Sequence, residues 1–166
     1  MLHVIPQREG DEAAIENLLD DVFGIDRFQK ASYFYRKNIK PLRELSWVAL
    51  EEDRLVGTVR YWPILVGDDN HPSLLLGPIG IAPDRKGQGI GRALVYRSIE
   101  RAIELEHNLV LLVGDVAYFQ RFGFSPATPL GFVMPGEPNP ERLQVMALKD
   151  DLLGKIKGVI KHIHVK

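Results

Sequence analysis

Between Ile79 and Arg92 the sequence runs Ile79-Gly80-Ile81-Ala82-Pro83-Asp84-Arg85-Lys86-Gly87-Gln88-Gly89-Ile90-Gly91-Arg92, which places an apolar strand end, a turn and a helix start in immediate succession. Glycines at 87, 89 and 91 carry no Cβ, so a ligand can come close to the main chain. The amides of a helix's first turn have no intrahelical acceptor and point outward at the positive end of the dipole. A segment with this order of residues is built to hold an anion. The Walker pattern requires Gly, four residues, then Gly-Lys-Ser/Thr, and no such run is present. A dinucleotide fingerprint requires Gly or Ala three residues after its second glycine, but Gly89-x-Gly91 is followed by Leu94 and Gly87-x-Gly89 by Arg92. For the glycines alone, a tight turn without a ligand remains the plainer alternative.

The rest of the chain narrows the chemistry. It has no cysteine, which excludes disulfides, thiolate metal sites and any mechanism that passes an acyl group through cysteine. Its five histidines, His3, His71, His107, His162 and His164, are scattered except for the tail pair at spacing two, which reads as solvated tail, so no metal is expected. Lys and Arg number 21 against 22 Asp and Glu, a formal net charge of -1, far from the basic field that drives nucleic-acid binding. No apolar run is long enough to cross a bilayer and no signal pattern opens the chain, so a cytoplasmic protein without membrane partners is expected. Its ligand is then a small molecule or a protein.

The elements that must position the glycine turn follow from spacing. Leu2 to Ile5 can form a short strand. From Gly10 to Phe23 the residues Ile15, Leu18, Leu19, Val22 and Phe23 recur at helical intervals, with Gly24 as terminator. Asp26 is placed to cap a second, aromatic-rich helix to about Asn38, whose Phe28, Tyr33, Phe34 and Tyr35, with Trp62, either wall a pocket or fill core. Trp47 to Leu50, Leu55 to Val66 and Ser73 to Ala82, separated by polar turns, read as an antiparallel meander. A helix from about Gln88 to Glu106 carries Ile90, Leu94, Ser98 and Ala102 on one side. The strand Leu109 to Val113 follows it, an order that permits a parallel crossover. A short helix from Val116 to Arg121 and strands at Gly131 to Met134 and Arg142 to Leu148 complete the pattern. Residues 149–166 suit either helix or strand. No repeat or linker appears, so residues 1–166 are expected to form a single domain of the mixed α+β class.

From Leu74 to Phe124 the chain resembles the GCN5-related N-acetyltransferase (GNAT) family. The family's glycine signature reads here Lys86-Gly87-Gln88-Gly89-Ile90-Gly91, with Lys86 where Arg or Gln is usual. Gly80-Ile81-Ala82-Pro83 before it and Tyr118-Phe119-Gln120-Arg121-Phe122-Gly123-Phe124 after it match the flanking motifs in type and order. Leu76-Gly77-Pro78 and Gly114-Asp115 resemble most the branch of predicted small bacterial-type acetyltransferases with Leu-Gly-Pro before the glycine loop. The resemblance implies a central, mostly antiparallel twisted sheet flanked by helices, with strands splayed where CoA binds. It implies acetyl-CoA as cosubstrate, main-chain groups of Ile79, Gly80 and Ile81 pairing with the pantetheine arm, and Lys86, Gly87, Gln88, Gly89, Ile90, Gly91 and Arg92 around the pyrophosphate. Pro78 lacks an amide, which suits a place where strands separate.

The resemblance further implies direct attack of an amine on the thioester in a ternary complex, with the Ile81 amide as oxyanion donor. Phe119 stands four residues before Gly123, where many members place the tyrosine that protonates the departing thiolate. Tyr118 is adjacent and is the candidate general acid, since a phenol titrating near 10 can protonate a thiolate whose thiol titrates near 8.5. Neighbouring helical residues differ in direction by about 100°, so a packing or acceptor-site role for Tyr118 stays open. Asp115 can orient an acceptor or cap the short helix, with capping the plainer role. Arg121 can reach a phosphate or lie on a solvated face. The expected function is N-acetyl transfer to a small or protein amine, with a homodimer compatible. The alternatives are a non-catalytic CoA-binding or regulatory module, and an acyltransferase with a different acyl donor or acceptor.

Overall fold

In the computed structural model, residues 1–164 are described. The chain forms two compact units: Met1–Phe28, Pro41–Tyr61 and Gly77–Leu105 in the first, and Gln29–Lys40, Trp62–Leu76 and the chain from Glu106 onward in the second. Its strands are β1 (Leu2–Pro6), β2 (Trp47–Glu51), β3 (Arg54–Val66), β4 (His71–Ile81), β5 (Leu109–Val113), β6 (Ser125–Pro126), β7 (Phe132–Val133), β8 (Leu143–Ala147) and β9 (Gly158–Lys161). The helices are α1 (Glu12–Phe23), α2 (Ile90–Glu104) and α3 (Val116–Gln120). The strands run in the order β1-β2-β3-β4-β5-β8-β6, and β9 pairs with both β3 and β7. Of the strand pairs whose register is described, β4 with β5 and β7 with β9 are parallel and the others antiparallel, so the sheet is mostly antiparallel, as expected. Among the described residues no helix is long and apolar enough to cross a membrane.

In the first unit, β1 and β2 pair antiparallel from Leu2↔Glu51 to Pro6↔Trp47, and β2 and β3 pair antiparallel with an irregularity at Ala49/Leu50. Ile15 and Leu19 of α1 pack with Val48 and Leu50 of β2, while Phe23, placed on the core face by its spacing, is partly exposed at the helix end. The second turn of this region departs from the sequence reading. Asp26 caps no α-helix, and Ile25–Gln29 is a 3-10 segment. Its buried Arg27 donates to Glu16 at 2.5 Å and Asp20 at 3.3 Å, which fixes the chain against α1. Arg60 of β3, equally buried, donates to Glu16 at 3.1 Å and to Glu12. Three carboxylates spaced by four residues along α1 thus hold two buried guanidinium groups.

α2 buries Ile90, Leu94, Val95, Ser98 and Ala102, close to the face that the spacing gives. Its polar member has a specific partner. Ser98 Oγ donates to the carbonyls of Leu94 and Val95 and lies 2.8 Å from the buried Tyr61 hydroxyl of β3. With the serine proton directed to its own helix, the tyrosine is the donor across the contact, and burial pushes its phenol well above the usual range.

In the second unit, the first part of the 11-residue β4 pairs with β5 in a two-residue parallel register, Leu74↔Val110 and Leu75↔Leu111. β5 and β8 then pair antiparallel along their full lengths. The core gathers Trp62, Ile64, Leu75, Leu109, Phe132 and Val145 with Tyr35. Here too the aromatic-rich helix is absent, and Ala31–Arg36 forms a 3-10 segment. Consecutive aromatics at 33, 34 and 35 do not repeat at helical spacing, and Tyr35 is drawn inward to donate to the Ile160 carbonyl at 3.1 Å. Burial raises its phenol to about 12. The tail resolves in favour of strand at β9, whose Val66↔Ile160 pairing takes up main-chain groups that a helix would have satisfied internally. Val165, counted in the alternating pattern of the tail, and Lys166 lie outside the described residues.

The Tyr61–Ser98 contact yields an asymmetric expectation. Ser98→Ala strands a buried hydroxyl and should lower unfolding free energy by about 1–3 kcal/mol, whereas Tyr61→Phe removes the donor and should cost about 0.5–1.5 kcal/mol. Urea denaturation of both variants measures the difference.

Candidate active site

The residues singled out around the glycine turn fall in the first unit. Ile79 and Ile81 are half-buried at the end of β4, and Gly80 between them is buried against Leu19 of α1, where a Cβ would lie 3.0 Å from Leu19 Cδ2. Pro83–Arg85 forms one 3-10 turn, after which Lys86, Gly87, Gln88 and Gly89 are exposed. Gly87 and Gly89 have φ of 81° and 80°, the left-handed region, and a Cβ at either would meet nothing within 4 Å. Their glycines are therefore demanded by backbone conformation, while the space above them is open.

α2 begins at Ile90, two residues later than its pattern indicates, with Gly89 as its N-cap and no side-chain cap. The first intrahelical bond is from the Ala93 amide to the Gly89 carbonyl. The amides of Ile90, Gly91 and Arg92 precede it, so this end of the dipole is left to a ligand. The Ile90 side chain itself is buried, so only its main chain can serve an anion. Among the described residues the Lys86 and Arg92 side chains have no ion-pair or hydrogen-bond partner. Uncapped amides, glycines with open space and two uncommitted cations fit a pyrophosphate.

The turn that delivers this cradle is pinned by charges that the sequence reading passed over. Asp84 accepts two bonds of 2.8 Å from Arg54, and Arg85 donates to Glu51 at 2.5–3.1 Å and to Asp84 at 3.1 Å. Arg54 and Glu51 flank the β2–β3 turn, so the segment before the glycines is tied to that hairpin. Arg54 holds the Asp84 carboxyl down at about 2, and Arg85 likewise lowers that of Glu51. Arg85, although basic and beside the glycines, is thereby committed to structure.

The aromatic motif falls in the second unit. Asp115 caps α3, its Oδ1 accepting from the Tyr118 amide at 2.8 Å. Tyr118 is half-buried, with ring centroids 5.0 Å from Phe119 and 5.4 Å from Phe122, and the Arg121 guanidinium lies 4.8 Å above its ring. The phenol hydroxyl has no hydrogen-bond partner among the described residues. Phe119 closes on the end of β5, where a Cβ at Gly114 would lie 2.6 Å from its ring. Arg121 is exposed, as its solvated-face reading has it, and its guanidinium rests over the tyrosine face.

Of the aromatics expected to wall a pocket or fill core, Tyr35 and Trp62 are core, Phe28 is exposed with the Arg27 guanidinium 4.2 Å from its ring centroid, and Tyr33 and Trp62 lie beside Arg36. No group of three His, Asp or Glu side chains with metal-holding geometry occurs among the described residues.

The sequence profile of the acetyltransferase (GNAT) family matches residues 13–124, two-thirds of the chain. The chain belongs to the GNAT acetyltransferase family. It is 28% identical over 153 residues to the N-acetyltransferase YhbS of Escherichia coli K12, covering 86% of this chain and 90% of the relative. With YjhQ of the same strain, also named an N-acetyltransferase, identity is 27% over 122 residues, 72% and 67% of the two chains. The crystal structure of E. coli YhbS in complex with CoA superposes with a TM-score of 0.80 at 26% identity, covering 98% of this chain and 88% of that one. A GNAT acetyltransferase from Brucella melitensis in complex with acetyl-CoA has the same fold, with a TM-score of 0.74, 22% identity and 99% and 97% coverage. The GNAT fold of this acetyltransferase and its mixed, mostly antiparallel sheet are thus as the motifs imply.

The cradle's support has a pH signature. Since the Asp84 carboxyl titrates below its unfolded value, its contribution is complete above about pH 4 and is lost as pH falls through about 2. An NMR titration of the Asp84 side-chain carboxyl carbon should show a midpoint near 2 in the wild type and a return toward 4 in Arg54→Gln.

Proposed function

We propose that this GNAT chain, acting as one catalytic domain, moves the acetyl group of acetyl-CoA to an amine by direct attack within a ternary complex. The observation that carries the proposal is the uncapped start of α2 behind Gly87 and Gly89, flanked by the uncommitted Lys86 and Arg92. The CoA and acetyl-CoA held by the E. coli and B. melitensis relatives support the cofactor. Acetyl-CoA supplies an activated thioester, and the chemistry suits a cytoplasmic protein.

The roles then follow from the residues. The bare amides at residues 90–92 bind the diphosphate, with Lys86 and Arg92 offsetting its charge. β4 holds a register with β5 at Leu74 and Leu75, and the main chain of Ile79, Gly80 and Ile81, further along, aligns the extended arm by strand-like pairing. The Ile81 amide donates to the carbonyl oxygen as it gains negative charge. The attacking amine must be neutral, and its proton leaves through water, since no histidine or carboxylate in the cradle is uncommitted. Tyr118 gives its phenolic proton to the departing sulfur, a role supported by a hydroxyl that has no partner among the described residues.

A second reading, CoA binding without transfer, is favoured by one observation: the side chain at 119 is a phenyl ring packed on Gly114 and carries no proton to give.

Calorimetry with acetyl-CoA followed by thiol-release assays over an amine panel separates the two. Wild type should bind and release thiol with at least one amine, whereas binding without release across the panel gives the non-catalytic reading. Gly89→Glu places a carboxylate where the diphosphate sits and should weaken binding by about a hundredfold or more. Retained affinity in that variant would remove the cradle assignment. Tyr118→Phe should bind normally and turn over about 10²-fold more slowly, and undiminished turnover removes Tyr118 as the acid.

A further inference from the structure

The second unit contains a groove of about 440 Å³, none of whose lining residues belongs to 79–92 or 114–124. Phe34 and Ile160 give it apolar walls, and Lys37, Asn38, Lys161, His162 and His164 line the remainder. Its volume suits a small organic molecule.

The charges around it are one-sided. The Lys161 ammonium donates to the Gly67 carbonyl at 2.8 Å and to Asn70 Oδ1 at 3.0 Å, both neutral acceptors, which leaves one N–H and the full positive charge. Among the described residues the Lys37 ammonium has no partner, and no side-chain carboxylate lies within ion-pair distance of either lysine. Two cations on one groove that no described carboxylate meets are stabilised when an anion enters between them.

One wall is held rigid by its own bonding. His162 Nε2 lies 2.8 Å from the Lys37 carbonyl oxygen and must donate to it, while its Nδ1 accepts the His164 amide at 3.0 Å. Both nitrogens are thereby used, and the ring is the neutral Nε2-protonated tautomer. It presents carbon surface beside Phe34, whose ring centroid lies 5.7 Å away in an edge contact. Phe34, 59% exposed, is an aromatic face with no cover of its own. An occupant needs an oxyanion for the lysines and a flat or branched apolar body for Phe34, His162 and Ile160.

We propose that this groove binds a small organic acid, an aromatic or branched apolar body carrying a carboxylate or phosphate. The site is independent of the CoA reading and stands or falls separately from it.

The test is NMR titration of the full chain with benzoate and phenyl phosphate, with benzamide as the neutral isostere of benzoate. Both anions should saturate shifts at Phe34, Ile160 and His162, and benzamide should bind at least tenfold more weakly. Lys37→Gln should weaken benzoate about fivefold or more, and raising the salt from 0.05 to 0.5 M, conditions that need no variant, should weaken benzoate and leave benzamide unchanged. Gly89→Glu, designed against CoA binding, should bind benzoate as wild type does. Equal binding of benzamide and benzoate, salt-independent benzoate binding, undiminished affinity in a folded Lys37→Gln, or loss of these shifts in Gly89→Glu would each overturn the proposal.

Discussion

An α-helix that starts without a cap leaves donors at its positive end, and the first unit is arranged around that constraint at the start of α2. Gly89 can occupy the N-cap in a left-handed conformation only as a residue without Cβ strain, and it brings no side-chain acceptor to compete for the amides. The helix must then be held by other means. Its buried stripe and the Tyr61–Ser98 bond fasten its length to β3, and the Arg54–Asp84 and Arg85–Glu51 pairs fasten the turn before it to the β2–β3 hairpin. These pairs, exposed or only partly buried, add little to global stability. Their effect is local, in fixing where the glycines emerge.

How much of this could be read beforehand depended on whether a signal was local. Strands β2 to β5 and helix α2 were legible because periodicity and turn residues agree there with tertiary structure. The cradle was legible because glycine spacing and chain order encode it together. The segment from Asp26 to Asn38 was not, because an N-cap residue and aromatic content mimic a helix. The real determinants there are distant partners: Glu16 and Asp20 for Arg27, and the Ile160 carbonyl for Tyr35. The charge network behind the cradle was hidden for a related reason. Glu51 and Arg54 read as ordinary hairpin-turn residues until Asp84 and Arg85 are brought beside them. One signal was available and unused: Arg60, inside the apolar run Val59 to Trp62, announces a buried ion that needs acids elsewhere, and Glu12, Glu16 and Asp20 recur at the interval that supplies them.

The buried arginines also give α1 a definite register. Burying a guanidinium is costly unless its charge is met, so α1 must present its three carboxylates in one orientation. Gly80 is exposed to the same constraint, since Leu19 of α1 closes directly on it. An ion network thereby limits which residues the strand beside the glycine turn can carry.

At the other end of the aromatic motif, Gly114 and Phe119 share one volume: the ring occupies the space a methyl group at 114 would need. The two positions are therefore a single steric unit, and 114 cannot gain a side chain without moving the ring at 119 or the helix that carries it. An alanine at 114 would require a smaller side chain at 119. A tyrosine at 119, by contrast, would leave the ring's seat on Gly114 intact and add only a hydroxyl at its far edge. A phenol at that position is thus a single substitution away and asks for no change at the glycine that seats the ring.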